Sequence, residues 1–188
     1  MRRLIVMAVV LLMLPALAAA QTTSQTTTKL GVGGFAGLSI PVVQDDQESG
    51  TEFGLRVRYG LGTMFVLEPY VSFVKWGGPD EIEGITWGID GSKVTSFGVE
   101  ATLGNSPGKI GLLPFLFAGA GSYKVKNDDT GYDQSKIGFS GGLGLGFGLS
   151  PQLALDFRGK LMVAPQKEGG SKKALGVTAG LNFNFGAK

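Results

Sequence analysis

From Ile137 to Leu149 the chain sorts its residues by parity. Ile137, Phe139, Gly141, Leu143, Leu145, Phe147 and Leu149 fall on one side, and Gly138, Ser140, Gly142, Gly144, Gly146 and Gly148 on the other. A period of two predicts a β-strand, whose successive side chains point to opposite faces. Glycine weakens strands because it costs backbone entropy and packs nothing, so a whole face of it implies a crowded space behind this strand. The opposite face is apolar apart from Gly141 and requires an equally apolar surrounding.

The same alternation recurs along the chain. Leu30, Val32, Gly34, Ala36, Leu38, Ile40 and Val42 alternate with Gly31, Gly33, Phe35, Gly37, Ser39 and Pro41. In the next segment Phe53, Leu55, Val57, Tyr59 and Leu61 alternate with Glu52, Gly54, Arg56, Arg58 and Gly60. A third strand sets Leu67, Pro69, Val71 and Phe73 against Glu68, Tyr70 and Ser72, with Pro69 expected at a bulge or a weak pairing because it lacks a ladder donor. A fourth sets Thr95, Phe97, Val99, Ala101 and Leu103 against Ser96, Gly98, Glu100 and Thr102. In the stretch 112–125 both faces are apolar. By analogy with Pro69 and Tyr70, Pro114, Leu116, Ala118 and Ala120 are expected outward and Phe115, Phe117, Gly119, Gly121 and Tyr123 inward. The seventh strand places Leu153, Leu155, Phe157, Gly159, Leu161 and Val163 opposite Asp156, Arg158 and Lys160, and the eighth places Leu175, Val177, Ala179, Leu181, Phe183 and Phe185 opposite Gly176, Thr178, Gly180, Asn182 and Asn184.

Longer polar connections, 44–50, 77–93, 126–136 and 164–173, alternate with short turns near Gly62, at 104–109 and at 150–152. Beyond the first 20 residues no apolar run is long enough for a helical span, so a chain this hydrophobic (43%) closes its backbone bonds as a barrel if it enters a bilayer. The expected fold is all-β: an eight-stranded antiparallel up-and-down transmembrane β-barrel with both termini at the periplasmic end. A soluble secreted lipocalin-like barrel binding a small apolar ligand would use the same alternation turned inside out. The uncharged glycine face of 138–148 solubilises nothing, which favours the membrane reading.

The N-terminus adds a compartment. Arg2 and Arg3, an apolar run from Leu4 to Leu17 and the small residues Ala18, Ala19 and Ala20 follow the order of a secretory signal. Residues 1–20 are expected to be a cleaved signal peptide, 21–28 a short polar arm and 29–188 the barrel domain, exported to the bacterial outer membrane. There is no Cys, which excludes a lipid-anchored lipoprotein and a disulfide framework. The formal charge of +2 belongs to the signal, because losing Arg2 and Arg3 from 17 basic residues leaves 15 against 15 acids. No basic field for nucleic acid remains.

Candidate chemistry is sparse. The chain has no His, the usual general base of lipid-modifying and proteolytic barrels. Glu52, Glu68, Glu100 and Asp156 share the inward face with Arg56, Arg58, Arg158 and Lys160, so mutual neutralisation in one network is expected rather than catalysis. The motif Gly31-x-Gly33-x-x-Ala36 lacks the strand–turn–helix context of a dinucleotide site. Asp45, Asp46, Asp128 and Asp129 read as solvated turn residues rather than a cation site. No catalytic, cofactor-binding or metal residues are assigned, no cofactor is expected, and eight strands leave too little lumen for a general channel.

Through its strand pattern and the phrases LEPYVSF, PFLFAGAGSY and LSPQLALDFR, the mature chain resembles the small outer-membrane β-barrels of the OmpA membrane domain, OmpX and opacity-protein type. That resemblance implies a structural or surface-interaction role without catalysis. It also implies as partners the outer-membrane lipids, including lipopolysaccharide, the barrel-assembly machinery during biogenesis, and a protein at the extracellular loops. Members usually end on an aromatic residue read by that machinery; here Phe185 is followed by Gly186, Ala187 and Lys188. At the upper end of the third strand, Lys75 is expected to touch lipid phosphates, with Trp76 beside it as an interfacial anchor. In the segment 77–93, Ile85, Trp87 and Ile89 alternate with Thr86 and Gly88, which reads as β-structure rising above the membrane with an edge open to a partner strand, or else as a plug over the barrel mouth.

Overall fold

The computed structural model describes residues 30–42, 48–77, 91–127, 131–165 and 171–185. They form eight strands: β1 (Leu30–Val42), β2 (Glu48–Leu61), β3 (Phe65–Gly77), β4 (Lys93–Leu103), β5 (Gly111–Asn127), β6 (Tyr132–Gly148), β7 (Leu153–Pro165) and β8 (Ser171–Phe185). Each strand pairs antiparallel with the next, and β1 pairs with β8 from Leu30–Phe185 to Val42–Lys173, so the sheet closes with no free edge. Short connections and both ends of the sheet lie at one end, the turn end; the segments 43–47, 78–92, 128–131 and 166–170 connect strands at the other, the loop end. Residues 1–20, expected to be a signal, residues 21–28, expected to be a polar arm, Gly186 to Lys188, the loop acids Asp45, Asp46, Asp128 and Asp129, and Ile85, Trp87 and Ile89 fall outside the described residues.

The phase of every strand is the one read from parity. Phe53, Leu55, Phe97, Phe139, Leu145, Phe157, Val177 and Leu181 point out and are exposed, while Glu52, Arg56, Arg58, Glu68, Glu100, Asp156 and Arg158 point in and are buried. Apolar groups outside and charges inside invert the lipocalin arrangement and suit hydrocarbon. β5 keeps the expected phase, with Phe115, Phe117 and Tyr123 buried inside. Pro114 has the outward parity of Leu112 and Leu116 but is itself buried.

Three expectations about connections are corrected. β2 begins at Glu48, β5 and β6 extend through Asn127 and from Tyr132, and β7 and β8 extend to Pro165 and from Ser171, so much of the polar stretch 126–136 and both ends of 164–173 are strand. The ladder is a backbone property and continues after the apolar pattern has stopped. Pro69 makes a weak pairing rather than a bulge. The β2–β3 ladder lapses between Arg56–Tyr70 and Tyr59–Leu67 without a change of register, as expected where a donor is missing.

The glycine face of β6 is explained by what lies on it. A Cβ added at Gly144 would strike the Phe115 ring and the Phe157 carbonyl, one at Gly142 would lie 3.0 Å from Phe117 Cζ, and one at Gly138 would lie 2.8 Å from the Tyr123 ring. The inward aromatics of β5, together with the Val163 and Gly159 carbonyl oxygens of β7 at Gly138 and Gly142, therefore occupy the space over β6, and a barrel of this width has room for them only where β6 carries no side chain.

Candidate functional site

Six of the eight interior charges form one compensated cluster, and the other two form a separate pair. Glu68, on β3, accepts from Arg58 Nε at 2.8 Å and pairs with Arg158 Nη2 at 2.6 Å. Arg158, on β7, also donates to Glu100 and to Asp156, each at 3.2 Å. Asp156 in turn pairs with Arg56 at 3.2 Å and accepts from Asn182 Nδ2 at 2.6 Å. Ser140 donates to Glu100 at 2.9 Å, and Lys160 pairs separately with Glu52. The four acids and four bases noted in the sequence thus all pair, drawn from β2, β3, β4 and β7, but as a cluster of six and a separate Lys160–Glu52 pair rather than the single network expected. Arg56 and Arg158 also stack on aromatic faces, with Arg56 4.7 Å from the Phe35 centroid and Arg158 5.1 Å and 5.3 Å from those of Phe115 and Phe117. A void beside Arg56, Tyr70, Glu100 and Lys160 has room for about one water molecule.

Both ends of this cluster are covered. Toward the loop end, Val74, Trp76, Val94, Tyr123, Val125, Met162, Ala164 and Ala174 make an apolar layer inside the barrel. Trp76 is therefore not an interfacial anchor. It is 1% exposed, its even parity turns it inward, and its indole Nε1 donates to Ser39 Oγ at 3.0 Å. At the turn end, residues 104–109 fold under the barrel and are all buried. Arg58 Nη2 donates to the Asn105 carbonyl, which ties this floor to the charge cluster. Gly104 and Gly108, at φ of 116° and 83°, give the turn the left-handed backbone it needs to fold back. Gly146 and Gly148 leave space beneath Asn105 and the Lys109 backbone. Loss of hydration lowers the pKa of Lys109 from the ordinary lysine value.

On the outside, Lys75 does extend the outward face of β3 as expected, and the register adds what the linear sequence hides. Lys75 pairs with Lys93 on β4, and Lys93 pairs with Lys126 on β5. Residues 51 apart in sequence thus form one exposed row at the loop end.

A closed barrel with an apolar exterior and compensated interior charge specifies a membrane architecture, and the sequence matches the family model of the outer membrane protein β-barrel domain over residues 7–185. The chain belongs to this outer-membrane barrel family. Its place is accordingly the bacterial outer membrane. The fold is similar to that of Neisserial surface protein A, at 17% identity and a TM-score of 0.65, over 83% of this chain and 97% of that one. It is also similar to the N-terminal β-barrel domain of Pseudomonas aeruginosa OprF, at 17% identity and a TM-score of 0.53, over 85% and 100% of the two chains. OprG of Pseudomonas aeruginosa matches at 14% identity and a TM-score of 0.51, over 87% and 99%. At these identities the likeness is one of fold. No curated protein matches the sequence.

Proposed function

We propose that this barrel is a structural and surface-interaction protein of the outer membrane, without catalysis and without a conducting lumen. The observation that carries this reading is the sealed interior: an apolar layer around Trp76, a compensated charge cluster around Arg158 and the buried floor 104–109 succeed one another along the axis. What remains for function is the outer surface and the loop end, which the meander directs to the cell exterior if both termini stay in the periplasm. Partners there are outer-leaflet lipids, including lipopolysaccharide, and a protein docking on the extracellular loops. The alternating Leu181, Phe183 and Phe185 of β8 serve the barrel-assembly machinery during biogenesis, after removal of residues 1–20 and with 21–28 left as a periplasmic arm. Conductance of the refolded barrel in planar bilayers tests the reading. Silence is expected; reproducible unitary steps that survive dilution of the preparation would overturn it.

A further inference from the structure

The ladder sets the height of every lipid-facing residue along the barrel axis. Paired residues followed once round the sheet, from Leu30 through Tyr59, Leu67, Ala101, Ala118, Gly141, Leu161 and Leu175, return to β1 at Ile40, ten residues nearer the loop end (40 minus 30). Over eight strands that offset tilts each strand by about 40° and raises successive partners by about 3 Å along the axis, against about 2.4 Å for one residue along a strand. On this scale the outward residues at the middle of the apolar belt are small on β1 (Gly34, Ala36) and β8 (Ala179) and tall on β2 (Leu55). The three small residues floor a hollow walled by Phe53, Leu55, Leu155 and Leu181. Leu55 is 65% exposed, more than any other large apolar side chain among the described residues except Ile137.

Hollow and knob are placed to fit each other across two copies of the chain. Leu55 pairs with Gly34 and so lies about 3 Å above it, whereas Ala179 pairs with Ala36 on the other side of β1 and lies about 3 Å below that residue. Gly34 and Ala36 differ in height by about 5 Å, so Leu55 and Ala179 stand level to within about 2 Å, one strand to either side of β1. Copies inserted in one membrane share an orientation, and a twofold axis along the membrane normal preserves every height. An axis in front of Gly34 and Ala36 therefore brings β2 of one copy against β8 of the other and sets each Leu55 on the partner's Ala179. Because the strands lean, Phe53, paired with Ala36, and Leu181, paired with Gly34, come to lie near that axis above and below the hollow, each facing its own copy. The two β1 strands cross at Gly34 and Ala36, where small residues let backbones approach closely, and in hydrocarbon it is such packing that drives association. Val32, Leu38, Phe53, Leu55, Phe73 and Leu181, each 40–65% exposed, present on the order of 600 Å² per copy at roughly 150–200 Å² for a large side chain, so a pair covers about 1,200 Å², the lower bound of stable specific interfaces. An acyl chain fits a hollow on any face and gains nothing from a knob at matching height.

We propose that the β8–β1–β2 face is a docking surface for a second copy of this chain, packed about a twofold axis at Gly34 and Ala36 with each Leu55 seated on the partner's Ala179. The chain has no Cys, so an introduced thiol reports alone. The test uses the barrel refolded from one side into phosphatidylcholine vesicles at high lipid excess and oxidised with copper phenanthroline, with linked dimers counted on gels. Leu181→Cys, near the axis, is expected to link on the order of tenfold faster than Leu116→Cys, at similar depth on the opposite wall. Adding Ala179→Phe, which fills the seat of the partner's Leu55, should bring the Leu181→Cys rate down to that of Leu116→Cys, whereas Ala120→Phe on β5 should leave it unchanged. Heat-modifiable gel mobility reports that each barrel is folded, and Leu55→Ala, which removes the knob, replaces Ala179→Phe if the latter does not fold. Equal linking at positions 181 and 116, or linking at 181 that survives both Ala179→Phe and Leu55→Ala, would mean random collision and overturn the proposal. Native mass spectrometry of the wild-type barrel released into mild detergent should show pairs; monomers that each retain one lipid, lost in Ala179→Phe, would place an acyl chain in the hollow and overturn it as well.

Discussion

At the scale of single residues, the space over a glycine decides what β6 tolerates. Gly144 lies beneath the Phe115 ring, whereas Gly141, three pairs along and on the outer face, has nothing closer to an added Cβ than the Phe117 carbonyl oxygen at 3.4 Å. Gly144→Val is expected to cost about 1–3 kcal/mol through overpacking, and Gly141→Ala to be close to neutral, in urea-dependent folding into vesicles. Equal effects would mean that the Phe115 side chain moves aside freely. The interior charges give the second residue-scale expectation. Glu68 holds Arg58 and Arg158 at once, so Glu68→Ala leaves two buried cations short of a partner and should cost about 3–5 kcal/mol. Lys173→Ala, on the exposed rim, should change stability by less than about 0.5 kcal/mol in the same assay. The presence of both charge signs on the inward parity of β2, β3, β4 and β7 is legible in the sequence. Which acid meets which base is not, because Arg58 and Arg158 are brought to Glu68 by barrel closure, from positions 10 and 90 residues away.

At the scale of elements, β6 is the strand whose two faces differ most, and its odd positions must all face lipid if its even ones accept the β5 aromatics. Leu145→Arg, near mid-span, should therefore cost on the order of 2–4 kcal/mol in lipid vesicles, and a neutral result would require a different phase for the strand. Strand phase was readable everywhere because polar and apolar side chains separate so cleanly by parity. Strand ends were not. β5 and β6 continue as a polar hairpin to Asn127 and Tyr132, where ladder hydrogen bonds persist although no hydrocarbon sorts the side chains. The same limit hid the floor. The sequence Gly104-Asn105-Ser106-Pro107-Gly108-Lys109 reads as an ordinary polar turn, and only the glycines at 146 and 148, on the inner face of β6, signal that the Asn105 side chain and the Lys109 backbone have to fit against them. Trp76 shows the opposite case, since its inward parity was present in the sequence and outweighs the usual preference of tryptophan for interfaces.

At the scale of the whole molecule, an apolar layer, the charge cluster and the buried turn 104–109 succeed one another along the axis of the described interior, and the charged groups that a channel would line with water are paired with one another. Lys160 is the informative reporter. Its ammonium pairs with Glu52 between the apolar layer and the Arg158 cluster, whereas Lys124 and Lys75 lie on the outside of the same barrel. Amine-selective labelling of the folded barrel in lipid vesicles, read residue by residue by mass spectrometry, tests the sealed interior most directly. Lys75 and Lys124 should label promptly, and Lys160 only after the barrel is unfolded. Labelling of Lys160 at the rate of Lys124 in the folded state would show a wet, open lumen and contradict the account.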